Sequence, residues 1–217
     1  MYIPPAFKND DIASIRATIR DARLGTLVTA TADGPIATPM PLFLDDNEGE
    51  RGVLYGHLAK ANPHWRLPPI GEALAIFTGP EAYVTPSWYA TKQETGKVVP
   101  TWNYDVLAVH GDLVAHDDQE WLRDLVTRLT NHHEQRSTEP WQITDAPETY
   151  IRGQLNGIVG IALTITSVEG QAKMSQNQPE RNVDGVVAGL RESAVPADHA
   201  VAERVAELGS TNAKGRG

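Results

Sequence analysis

Residues 56 to 65 read Gly-His-Leu-Ala-Lys-Ala-Asn-Pro-His-Trp, the stretch richest in groups that could hold an anion. Asn62 followed by Pro63 is a helix-start signal, with asparagine as cap and proline at the first helical position. The free backbone N–H groups of a helix start attract negative charge. Lys60 would add a point charge, and His57 and Asn62 would add donors, so these three residues together describe a phosphate cradle. The same spacing also describes a plain capped helix with a solvated lysine, and on spacing alone that is the stronger description. The glycine spacing of a Walker loop is missing.

Two aromatic segments, Ser87-Trp88-Tyr89 and Thr101-Trp102-Asn103-Tyr104, flank an irregular stretch rich in Pro, Ser, Lys and Gly. Rings that stack beside amide and hydroxyl tips suit a flat heteroaromatic ligand. Trp88 and Trp102 equally suit a core or a subunit interface. Lys173-Met174-Ser175-Gln176-Asn177-Gln178 gathers amides and a hydroxyl that are expensive to bury unpaired, and reads either as a ligand-binding strand end or as a solvated turn. His132 and His133, adjacent on a helix, point in different directions and make poor metal co-ligands, so no metal site is expected. There is no Gly-x-Gly-x-x-Gly fingerprint, and no catalytic triad or paired-carboxylate site stands out.

The elements that must position these residues follow from periodicity and turn chemistry. Asp10–Arg20 reads as a helix, with Ile12, Ile15 and Ile19 at helical spacing. Leu24–Thr31 and Ile36–Leu44 read as a hairpin with Asp33-Gly34 at its tip. Val53–His57, Ala73–Thr78, Ala82–Thr85, Trp102–His116 and Ile158–Ser175 read as strands, with a turn at Gly79-Pro80 and a bend at Glu169-Gly170. Gln119–His133 is amphipathic, and a helical turn is expected near Pro147–Gly153. Asn182–Arg191 and Asp198–Leu208 read as helices, and Ser210–Gly217 as a disordered end. The class is therefore β or α+β, an antiparallel barrel with helical decoration.

Composition narrows the function. The chain has 217 residues, 28 acidic and 19 basic, for a formal charge of −9, and no run of Lys or Arg. Bulk electrostatics therefore works against nucleic acid, and DNA binding would need a local basic patch. There are no cysteines, which removes disulfides, thiolate metal sites and cysteine nucleophiles. No apolar run approaches the roughly 20 residues of a membrane span, and Met1-Tyr2-Ile3-Pro4-Pro5 lacks the pattern of a signal peptide. A cytoplasmic protein without membrane contact is the expectation.

Taken together, several segments resemble the PaiB family: Met1-Tyr2-Ile3-Pro4, Gly56–Pro63 with Trp65, Phe77-Thr78-Gly79-Pro80 with Ala82-Tyr83-Val84, Pro86-Ser87-Trp88-Tyr89, Gly96–Tyr104 and Lys173–Asn177. They occur in family order from residue 1 to about 190. The resemblance implies a homodimeric split antiparallel β-barrel with peripheral helices, related to pyridoxamine phosphate oxidases and flavin reductases. It implies FMN as cofactor and a link to transcriptional regulation of sporulation and protease genes. It places the phosphate at His57, Lys60 and Asn62, and the flavin ring along Thr38, Pro39, Met40 and Pro41. A second subunit would supply Trp88, Trp102 and Asn103, and the strand end would add Lys173, Gln176 and Asn177. On this reading residues 1–190 form the FMN-binding domain and 191–217 a tail that is helical, then disordered. Two flavin-linked roles follow, a transcriptional regulator or a redox protein. The alternatives are another cofactor in the same barrel, haem or a deazaflavin, or a directly DNA-binding repressor. The sequence departs from the family pattern at Ala6, where a histidine is usual, and at Gln178, where a basic residue is usual.

Overall fold

A computed structural model describes residues 1–22 and 24–214, and the side chains of these except 210–214. The expectation of a disordered end lies outside the described residues for 215–217, while the last helix continues to Lys214. The chain divides into two compact units. One comprises Met1–Ile15, Thr78–Leu107 and Glu169–Gly217, and the other Arg16–Phe77 and Ala108–Val168.

The strands are β1 (Lys8–Asn9), β2 (Gly25–Thr31), β3 (Gly34–Met40), β4 (Phe43–Asp45), β5 (Val53–Ala59), β6 (Ala73–Val84), β7 (Thr101–His116) and β8 (Ile158–Lys173). The helices are α1 (Ile12–Asp21), α2 (Thr91–Thr95), α3 (Gln119–Glu134), α4 (Glu148–Leu155), α5 (Glu180–Arg191) and α6 (Pro196–Lys214). The strands form an antiparallel sheet in the order β3-β2-β6-β7-β8-β5-β4, with β1 on β8. The long strands β6, β7 and β8 contribute residues to both units.

In the second unit, β2 and β3 pair from Gly25↔Met40 to Thr31↔Gly34, so the hairpin tip is Ala32-Asp33. Gly34 closes the turn at φ 107°, which a residue with a Cβ rarely adopts. The sheet curls here. A Cβ on Gly56 of β5 would stand 2.9 Å from the Pro41 carbonyl oxygen and 2.6 Å from Met40 Cε, so the end of β3 lies hard against β5. The expected strand Ile36–Leu44 breaks at Pro41-Leu42 into β3 and β4. Leu125 and Leu129 of α3 cover Val53, Tyr55 and Ala162 of β5 and β8. Leu122 continues the stripe into a second cluster with Ile143, Ile151 and Leu155.

In the first unit, β6 runs unbroken through Gly79-Pro80, where the sequence signals a turn. The glycine serves close approach instead: a Cβ there would stand 3.0 Å from Asp105 Cβ on β7. One face of this part of the sheet carries Ala82 and Val84, which pack, with Met174 just past the end of β8, against Val186, Leu190, Val201 and Val205 of α5 and α6. The sequence expects an irregular stretch from Pro86 to Pro100, yet it holds a 3-10 turn (Pro86–Trp88) and α2. Gly96, at φ 65°, ends α2 in the left-handed conformation that helix ends favour.

Candidate functional site

The expected site residues fall into two groups, one in each unit. Thr38, Pro39, Met40, Pro41, His57, Lys60 and Asn62 belong to the second unit, and Trp88, Trp102, Asn103, Lys173, Gln176 and Asn177 to the first.

In the second unit, β3 ends the strand order, so one of its edges has no strand beside it among the described residues. Which backbone groups point outward follows from its prolines. Proline has no N–H to give a ladder, so Pro35 and Pro39 occupy positions whose backbone faces away from β2. The hairpin register agrees, because Thr31↔Gly34 closes a two-residue turn and sets alternate positions 34, 36, 38 and 40 toward β2. Ala37 shares the outward register with the two prolines. It is thus the outward-facing residue on β3 that offers both an N–H and a C=O. A flavin ring edge presents alternating acceptors and an N–H donor, and this isolated pair complements it.

Behind that edge lies a closed polar cluster. His64 is 1% exposed. Its Nε2 bonds to Thr29 Oγ1 and its Nδ1 to Thr38 Oγ1, both at 2.8 Å. Asn62 Nδ2 donates to Thr38 Oγ1 at 3.2 Å, and Asn62 Oδ1 accepts from the His64 N–H at 3.0 Å. A neutral imidazole has one donor and one acceptor, which the two hydroxyls complete in either tautomer. Burial holds His64 below the ordinary histidine pKa. Asn62 and His64 of the 56–65 segment and Thr38 of β3 are therefore occupied with one another: Asn62 caps the turn, Thr38 ties β3 to it, and His64 joins both to β2. Met40 is 3% exposed and packs inward, whereas Pro39 and Pro41 are exposed.

The anion cradle differs from the sequence expectation. The segment Pro63–Arg66 is a four-residue 3-10 turn, too short to contribute a helix field. What remains is side-chain chemistry. Lys60 Nζ lies 2.6 Å from Asp117 Oδ1, with both side chains about two-fifths exposed. An ion pair this exposed is worth about 0–1 kcal/mol, so a phosphate dianion can take the ammonium from the carboxylate. His57 Nδ1 is buried with no hydrogen-bond partner among the described residues, and burial lowers the pKa of its ring. An orphaned ring nitrogen three residues before a lysine in a replaceable contact suits a phosphate-bearing ligand.

The first unit sorts its expected residues differently. Asn103 is 0% exposed and exchanges two hydrogen bonds with Ser175, Nδ2 donating to Oγ at 3.0 Å and Oγ donating to Oδ1 at 3.2 Å. Ser175 holds φ 60°, a strained value for a residue with a side chain. Gln176 folds over its own turn, its Oε1 accepting from the Met174 N–H. Trp88 packs on α5: a Cβ at Gly185 would meet the Trp88 carbonyl oxygen at 2.0 Å, and one at Gly189 the indole at 2.3 Å. Asn177 is exposed. Trp102 and Lys173 remain, and the sheet brings to them Thr101 and Tyr104 of the aromatic segment together with Tyr83 and Gln171, which the sequence alone does not place at a site. Tyr83 meets Trp102 edge-on, with ring centroids 6.1 Å apart. Lys173 Nζ donates to Thr101 Oγ1 and lies 5.9 Å from the Tyr104 ring centroid. Gln171 Nε2 donates to Tyr104 Oη at 2.9 Å. Strand alternation was the available signal, since residues 102 and 104 must face opposite to 103.

Comparison with known proteins adds an independent line. A family model described as "Putative FMN-binding domain" matches residues 1–167. An uncharacterized protein of Emericella nidulans is 32% identical over 99% of this chain and 100% of its own length. The protease synthase and sporulation protein PAI 2 of Bacillus subtilis is 29% identical over 94% of this chain and 95% of its own. Among solved structures, a FAD and heme binding protein of Mycobacterium smegmatis superposes with a TM-score of 0.54 at 13% identity, covering 76% of this chain and 73% of that one. The fold class is the split antiparallel β-barrel. No described helix is long and apolar enough to cross a membrane. With a family model over most of the sequence and a bacterial relative matched almost end to end, the chain belongs to the PaiB family of FMN-binding domains.

Proposed function

We propose that this protein is a cytoplasmic, homodimeric flavoprotein in which FMN lies against β3 and serves redox chemistry. The observation that carries the reading is the unpaired outer edge of β3, where Ala37 presents its N–H and C=O between two prolines. In this arrangement Ala37 reads the ring edge, and His57 and Lys60 hold the phosphate. Asn62, His64 and Thr38 act behind them by fixing the strand. Bound FMN supplies one- or two-electron transfer, while the protein supplies orientation and electrostatics. Hydride or electron transfer at a flavin needs little from side chains, so a site without a catalytic triad is consistent with it.

The transcriptional link suggested by the family is compatible with a flavin sensor acting through a partner protein. Direct reading of DNA is disfavoured by the charge of −9. Many cations are also already paired with carboxylates, as in Arg128–Asp45, Arg181–Glu94 and Arg191–Glu203.

The test is to purify the protein without added cofactor, record its visible spectrum, heat-denature it and identify what is released. A flavin spectrum with released FMN is expected, at one FMN per chain. A sharp haem band would replace FMN with haem in the barrel. A colourless protein that also fails to take up FMN in titration would overturn the reading. The mass in solution, measured by light scattering, checks the dimer.

A further inference from the structure

The first unit carries a sheet face that the flavin site proposed above leaves out, although the family resemblance would give its Trp102 and Lys173 to FMN. The opposite face is sealed by α5 and α6 through Ala82, Val84 and Met174. On the other side stand Tyr83, Trp102, Tyr104, Gln171 and Lys173, one strand beside the next. Tyr83 is 47% and Trp102 is 52% exposed, although both are large aromatic residues on central strands. A tryptophan and a tyrosine in edge-on contact at the surface form a ready stacking platform.

Lys173 is the second observation. Its ammonium is partly buried, donates to Thr101 Oγ1 and faces the Tyr104 ring. No carboxylate among the described residues forms an ion pair with it. In a chain with 28 acidic residues against 19 basic, many other cations have found one. Burial lowers the pKa of its amine, so the charge is held there against a desolvation cost. Of the acidic residues on the same faces of these strands, Glu81, two residues from Tyr83 on β6, is exposed, and Glu169, four residues before Lys173 on β8, pairs with the N-terminal ammonium. Such a cation is stabilised when an anion arrives. An aromatic shelf beside it selects for an anion that is also flat.

We propose that the Tyr83–Trp102–Lys173 face binds a planar aromatic anion distinct from FMN, a small ring system bearing a carboxylate or similar group. The ring stacks on Trp102 and the anionic group meets the Lys173 ammonium. Asn103 takes no part, because it faces the opposite side and is paired with Ser175. If FMN occupies the second unit as argued above, this ligand is the candidate second reactant or signal of the flavoprotein. The binding claim itself stands on the first unit alone.

The experiment is calorimetric titration of the full-length, FMN-saturated protein with 1-naphthoate and with its neutral analogue 1-naphthalenemethanol. Naphthoate should bind once per chain and about three- to fivefold more tightly than the alcohol, the size of a partly exposed charge contact. Lys173→Gln should erase that preference, and Lys173→Arg should keep it. Trp102→Ala should weaken both probes by about tenfold, the size of one lost aromatic stack. Failure of wild type to bind either probe at millimolar concentration would overturn the proposal. So would binding that Trp102→Ala leaves unchanged, or naphthoate that releases FMN into solution, since the face would then belong to the cofactor. If the protein takes no FMN but shows the full naphthoate pattern, the flavin reading fails and this site stands.

Discussion

His64 is a histidine with no ligand to bind, because both ring nitrogens are used by Thr29 and Thr38. Its ring, with those of His57, His116 and His132, is held below the ordinary histidine pKa of about 6.5 by burial. The unfolded chain therefore binds protons at these positions before the folded one does. Stability is fully present above about pH 6.5 and falls as pH drops through the lower folded-state values. His64→Gln should give a shallower loss of stability on acidification, read from urea midpoints at a series of pH values. Identical slopes for variant and wild type would remove His64 from that account. The Lys60–Asp117 pair makes a second prediction at this scale. Lys60→Ala should weaken FMN binding about tenfold or more while changing stability by less than about 1 kcal/mol, because the pair is exposed. Asp117→Asn should strengthen FMN binding by about two- to fivefold, because the phosphate no longer competes for the ammonium. Fluorescence titration of flavin checks both. An unchanged affinity in each variant would place the phosphate elsewhere.

Among the elements, the edge of β3 gives the sharpest test. Ala37→Pro removes the outward N–H and nothing from the β2 ladder, and the preceding residue Ile36 is already extended. FMN affinity should fall about tenfold or more with little change in thermal midpoint. A collapse of stability instead would show that Ala37 faces β2. The helical glycines give a matched pair. Gly153 in α4 has open space around its Cβ direction, so Gly153→Ala should stabilise by about 1 kcal/mol through helix propensity. A Cβ at Gly185 in α5 would meet the Trp88 carbonyl oxygen at 2.0 Å, so Gly185→Ala should destabilise by about 1–3 kcal/mol despite the same propensity gain. Denaturant melts of the two variants decide it.

Strong local patterns made much of this visible in the sequence. The β2–β3 hairpin, the α3 stripe and the two terminal helices announce themselves by turn residues and apolar spacing. The Gly79-Pro80 signal failed because its cause is long-range: the glycine accommodates Asp105, 26 positions later. α2 was hidden because Thr91–Thr95 carries no apolar residue to set a period. At the site, the residue types of the 57–64 segment were legible, but not that they would bind each other. Tyr83 and Gln171 could not be joined to Trp102 and Tyr104 without knowing that β6, β7 and β8 are neighbours.

For the whole molecule, charge is the property with the clearest outcome. At −9, a duplex DNA fragment should show no sequence-specific retention in a gel shift at moderate salt, and what binding occurs should be weak and lost quickly as salt rises. Specific retention with a steep salt slope would reveal a basic patch formed by assembly. Buried charge is scarce by comparison. Asp105, 3% exposed, meets Arg204 of α6 at 3.2 Å, while its Oδ1 has no hydrogen-bond partner among the described residues and burial raises its pKa. That pair belongs to the attachment of α6, together with Val201, Ala202 and Val205, all 0% exposed.

The interleaving of the two units has a consequence for how the protein is made. The unit containing α6 draws on three separate stretches of chain, and its third stretch is synthesised after every residue of the other unit. Its core must wait for Val201 and Val205, which are made after everything the other unit needs. The other unit has all its residues by Val168. Vectorial synthesis therefore leaves Val84, Met174 and Val186 uncovered for a period, a window in which apolar surface is open to chaperones or to aggregation. A stop codon near residue 200 would prolong that window indefinitely, so premature termination there should remove the protein by insolubility or proteolysis rather than yield a soluble shortened chain.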